Sequence, residues 1–182
     1  MRKSILFLSV IGLFLTACGP KINSDQQKSL STLTSQVDSV TSIINAMDSV
    51  ELMTLTDNFF NRKNFLQKQM IDTLEPEIIF KLDGFIQLRK TMGFIRGEYG
   101  VIKKEANIMK DQMVDLNHDV SERLIEEKQF GRYYSLEKAN YDELKLASIQ
   151  LKRAVEVSTK EYNERIVAVD SVIDAYKTKI DE

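Results

Sequence analysis

Apolar residues recur at alternating steps of three and four over most of this chain. Leu30, Leu33, Val37, Val40, Ile44 and Met47 follow steps of 3, 4, 3, 4 and 3. That is the seam of an amphipathic helix, and strand alternation does not match it. The series shifts at Asp48–Glu51 and resumes with Leu52, Leu55, Phe59, Leu66 and Met70. The first helix either runs through this shift or breaks between 48 and 57; Asp48-Ser-Val-Glu51 resembles a capping box, which favours the break. Residues 29–47 carry one charge, Asp38, among many Ser and Thr. These residues compete with the backbone for hydrogen bonds, so this helix needs a neighbour to pack against.

Leu74-Glu75-Pro76-Glu77 marks the clearest boundary, because the residue before Pro leaves the helical region and Pro suits a first helical position. The strongest pattern follows. Met92, Ile95, Tyr99, Ile102, Ala106, Met109, Met113, Leu116 and Val120 alternate without a slip. Gly131 in Gln129-Phe130-Gly131 is the expected C-terminal stop, with Ser135 as the N-cap of the next helix. That last helix carries Tyr141, Leu144, Leu151, Val155, Tyr162, Ile166, Val169, Ile173, Tyr176 and Ile180. Three segments of about 50 residues, each about 70–75 Å long if fully helical, predict an all-α fold. Its architecture is an elongated antiparallel helical bundle or coiled-coil hairpin of about three long helices. The rival is one unbroken helix from 77 to 181 that passes over Gly131.

The N-terminus departs from this pattern. Arg2 and Lys3 precede the apolar run Ile5–Leu15 and then Thr16-Ala17-Cys18. This run of eleven residues makes about 16 Å of helix, too short for a hydrocarbon core of about 30 Å. The order of charge, apolar run and small residues is that of a secretory signal. Leu15-Thr16-Ala17-Cys18 resembles the lipobox of bacterial lipoproteins. The resemblance covers the first 18 to 20 residues. It implies cleavage before Cys18 and acylation of its thiol, hence a membrane anchor; two or more acyl chains hold stably. Residues 1–17 are then the signal peptide, 18–28 the lipidated Cys and a polar tether, and 29–182 a single helical domain. Gly19 stands where an inner-membrane retention signal has Asp, so the expected place is the cell envelope, on the periplasmic face of the outer membrane, with the inner membrane as the alternative.

Composition narrows the chemistry. Cys18 is the one cysteine; once lipidated it leaves no thiol for a disulfide, a metal or a nucleophile. Without residues 1–17 the chain has 23 Lys+Arg (25 less Arg2 and Lys3) against 27 Asp+Glu, a net charge of −4. That is not a nucleic-acid-binding balance. His118 is the one histidine and falls on an outer heptad position, so neither a metal site nor any other cofactor is expected. No phosphate loop or nucleophile elbow is present, and an enzyme is not expected.

Two features remain. Gly93, Phe94, Gly97, Gly100 and Val101 form a small-residue stripe inside the third-period helix, where each Gly costs about 0.5–1 kcal/mol relative to Ala. Either a third helix of the same chain packs closely there, or the stripe is a docking groove for a partner, or the helix kinks. Separately, Asp38-Ser39-Val40, Asp48-Ser49-Val50, Asp72-Thr73-Leu74 and Asp170-Ser171-Val172 resemble an O-glycosylation motif of exported bacterial proteins. Ser39, Ser49, Thr73 and Ser171 would be the acceptors; the alternative is ordinary capping and surface material. The expected function is that of a membrane-anchored structural or adaptor protein with a protein partner or self-association. Binding of peptidoglycan or another envelope ligand is the alternative.

Overall fold

The structure is a computed structural model that describes residues 22–70 and 76–181. Among these residues every regular element is helical: α1 (Ser24–Asn45), α2 (Ser49–Phe65), α3 (Pro76–Gln87), α4 (Arg89–Ser121) and α5 (Glu127–Asp181). One turn of π-helix, Leu66–Met70, extends α2. The helices pack as a bundle.

Each boundary has a local cause. α1 opens on a reciprocal capping box. Asn23 Oδ1 accepts from the Gln26 N–H at 2.9 Å, and Gln26 Oε1 accepts from the Asn23 N–H at 3.1 Å. The helix therefore takes in residues 24–28 that the polar composition had assigned to a tether. The expected break at 48 is present: Asp48 caps α2 by accepting from the N–H groups of Val50 and Glu51 at 2.8 and 3.1 Å. Pro76 is the first residue of α3, as its fixed φ favours. Leu88 interrupts α3 and α4 by a single residue; its N–H turns to Phe85 O at 3.1 Å.

The turn between α4 and α5 corrects the sequence reading. It lies at 122–126, and Gly131 sits inside α5. Arg123 adopts φ 56°, its N–H reaches Val120 O at 3.3 Å, and the Leu124 N–H reaches Asp119 O at 2.8 Å. That is a Schellman closure with arginine in the position glycine usually takes. Glu126 stands just ahead of α5, its N–H donating to Gln129 Oε1 at 2.9 Å. Ser135 is no N-cap; its hydroxyl donates back to Gly131 O at 2.8 Å within the helix.

The buried seam is the one the spacing marked. Met92, Ile95, Tyr99, Ile102, Ala106, Met109, Met113 and Leu116 of α4 are all buried. Against them lie Leu30, Leu33, Val37, Val40 and Ile44 of α1. Contacts between these two helices run in opposing order: Asn117 donates to Thr34 at 2.9 Å, Lys110 pairs with Asp38 at 3.1 Å, Thr41 donates to Ala106 O at 3.2 Å, and just past the end of α1 the Tyr99 hydroxyl donates to Met47 O at 2.9 Å. Phe59 and Phe85, both fully buried with rings 4.9 Å apart, join α2 to α3. Phe85 lies 6.0 Å from the Tyr162 ring of α5. Each such side chain contributes about 1.5–3 kcal/mol by leaving water. At one end of the bundle the Gln26 amide lies 3.4 Å from Glu127; toward the other, Phe65 meets Tyr176 edge-on at 6.2 Å.

Candidate docking faces

The glycine stripe lies on α4, which runs unbroken from Arg89 to Ser121. At Gly93 an added Cβ would meet Phe60 Cζ of α2 at 3.9 Å, an ordinary contact. At Gly97 and Gly100 it would meet nothing within 4 Å. Among the described residues no third helix packs closely at either position, against that expectation. The described elements that flank α4 converge on its buried seam and leave this side bare. Val101 is 49% exposed beside the glycines, whereas Phe94 is half-buried against the core. Arg96 borders the stripe. Its guanidinium lies 5.5 Å from the centre of the Phe60 ring and 3.0 Å from Asp57.

Further round α4, a shallow groove separates it from α5. Met109, Leu144 and Ala147 line its floor with Ile108, and Glu105 and Glu143 stand on its rim. Its volume is about 410 Å³. Both ionisable rim groups are acidic and lie in the open.

A different arrangement holds α2 to α5. Arg62 grips Asp170 through two parallel bonds, Nε–Oδ1 at 2.7 Å and a second guanidinium nitrogen to Oδ2 at 3.1 Å. The hydrogen bond to Asp170 raises the Arg62 pKa further; burial opposes it, and the nearby Tyr162 and Asp170 charge add to it. Burial also pushes the Tyr162 phenol up, helped by Asp170 and countered by Arg62. Arg62 thus stays charged and Tyr162 stays neutral across the physiological range. The trio ties helices together and holds no proton poised for transfer near neutrality.

The other sequence candidates are dispersed. His118 is exposed in the last turn of α4, and among the described residues no cluster of three or more His, Cys, Asp or Glu could hold a metal ion. Ser39 and Ser171 are exposed, and Ser49 is half-buried at the first residue of α2. The acids that precede them have structural work: Asp38 pairs with Lys110, Asp48 caps α2, and Asp170 is held by Arg62. Cys18 and Thr73 lie outside the described residues. Among the described residues no helix is long and apolar enough to cross a membrane.

One face escaped the sequence reading. Leu136, Leu146, Val157 and Val167 of α5 are 56%, 62%, 45% and 76% exposed. Their signal was present as a second three-four series, overshadowed by the core series on the same helix. No known family model matches the chain, and no curated protein and no solved structure matches it either.

Proposed function

We propose that this protein is a lipid-anchored envelope protein that acts as a helical structural or adaptor element. Cys18 carries the anchor. The helices form an elongated antiparallel bundle of three legs, coiled-coil-like in its seams: α1 with α2, then α3 with α4, then α5. The opposing order of the α1–α4 contacts supports that path. The observation that carries the adaptor reading is the bare side of α4. Gly97 and Gly100 lower the stability of a long helix, and among the described residues nothing packs on them. A smooth helix surface admits a second backbone closely, and that gives the two glycines a purpose.

The test is crosslinking in cells followed by mass spectrometry, on the anchored chain and on Cys18→Ala. The expected result is an acyl-modified Cys18 in the first, loss of membrane partition in the second, and foreign crosslinks concentrated near 93–101. An unmodified Cys18 refutes the anchor. Crosslinks that never involve 93–101 refute the adaptor face. Gly97→Leu should leave the helical signal intact and abolish the partner's crosslink.

A further inference from the structure

Along the outer side of α5, Leu136, Ala139, Glu143, Leu146, Gln150, Arg153, Val157, Lys160, Glu164 and Val167 keep the alternation of three and four throughout. All are exposed, on the side away from the buried Leu144, Leu151, Tyr162 and Val169. A helix with one seam in the core needs only one. A second seam of the same period, with apolar residues that are about half exposed or more, is what a helix–helix contact outside the chain requires.

We infer that the occupant of this face is a second copy of the chain, with α5 packed on α5 in opposite directions about a twofold axis between Leu151 and Lys152. The series is complementary to its own reverse. In that register Leu136 faces Val167 of the second copy, and Leu146 faces Val157. Glu143 faces Lys160, Gln150 faces Arg153, and Ala139 faces Glu164. Twofold symmetry makes every pair occur twice, so a polar Gln150–Arg153 centre is flanked by two Leu146–Val157 layers and then by two acid–base pairs, and no layer sets like charge on like. Ile149, 54% exposed, flanks that centre. The parallel arrangement fails the same check. It would stack Glu143, Arg153, Lys160 and Glu164 each on its own copy, four repelling layers.

Size sets the strength. From 136 to 167 the seam is about 46 Å long. A helix contact about 10 Å wide then buries roughly 1,000 Å² in total, at the lower edge of specific interfaces. A micromolar dimer is the expectation. Its geometry does not depend on the anchor, but its use as an envelope element rests on the reading above.

The experiment uses the full chain with Cys18→Ala, which has no other cysteine. Leu146→Cys and Val157→Cys are introduced singly and together, and oxidation is followed on non-reducing gels. In the proposed register, equal positions of the two copies lie about 16 Å apart along the axis, beyond the reach of a disulfide, while 146 and 157 of opposite copies are adjacent. The double variant should close to a covalent dimer and each single variant should not. Closure of a single variant would overturn the register, and closure of none would overturn the dimer. In sedimentation equilibrium Lys160→Glu should weaken association about tenfold, and adding Glu143→Lys should restore it, with helicity unchanged. No effect of Lys160→Glu would also overturn the proposal. A monomeric Cys18→Ala chain beside an anchored chain whose Cys18 is acylated would sink this inference alone; a dimeric Cys18→Ala chain beside a native chain whose Cys18 is unmodified would sink the anchor alone.

Discussion

Replacing Gly131 with alanine separates two descriptions of how the chain turns. If Gly131 were the left-handed stop that its neighbours suggest, a Cβ there would cost about 1–2 kcal/mol. In the structure Gly131 is a helical residue without positive φ, half-buried, and an added Cβ meets nothing within 4 Å. Ser135 bonds its backbone carbonyl, which alanine keeps. The change should therefore stabilise by about 0.5–1 kcal/mol, from lower unfolded-state entropy and better helix propensity. For a chain of this size that is about 1–4 °C in melting temperature. The reciprocal change is Arg123→Gly, at the residue with φ 56°. It should also stabilise, by about 1 kcal/mol, since glycine takes that conformation without strain. Urea unfolding followed by circular dichroism at 222 nm reads both. A loss of about 1 kcal/mol or more in Gly131→Ala would refute the placement of the turn at 122–126 and restore it to 131.

Three further predictions follow from single contacts. Ser158 is fully buried in α5, and among the described residues its hydroxyl has no partner; Ser158→Ala should gain about 1 kcal/mol in the same assay, whereas a loss would reveal a bond to that hydroxyl. Asp48→Ala removes two cap bonds from α2 and should cost about 1 kcal/mol, with amide exchange rising first at Val50 and Glu51. Burial raises the Tyr162 pKa in the folded state, so the neutral phenol's contribution is present below its unfolded pKa of about 10 and is lost as pH climbs through the folded value. Stability should fall above pH 10, less steeply in Tyr162→Phe, and identical slopes would contradict the shift.

The seams were legible because burial and spacing report the same thing. Each apolar residue from Met92 to Leu116 that kept the period is buried in the structure. The break at 48 was legible because a carboxylate at an N-cap has a specific spacing. The stop of α4 was not, because the chain closes it with Arg123, a residue that rarely accepts positive φ. Glu126-Glu127-Lys128-Gln129 held half of a capping box, but the nearby Gly131 was the louder signal. Leu88 interrupts the helix with a buried leucine and without Gly or Pro, so composition carries no mark of it. The openness of Gly97 and Gly100 could not be read from one chain's periodicity, because a small residue fits equally beneath a neighbour or beneath nothing. The same ambiguity hid the outer series of α5, where exposed leucines and valines alternate with charges.

The contact between Gln26 and Glu127 gives the molecule two unlike addresses. It places the start of α1 and the start of α5 side by side. The 55 residues of α5 then carry the chain to Asp181, about 80 Å away. A proximity-labelling enzyme fused after Glu182 would therefore mark a different neighbourhood from one inserted ahead of Ser24. Comparing the two sets of labelled neighbours would show whether the two ends of the bundle meet the same surroundings.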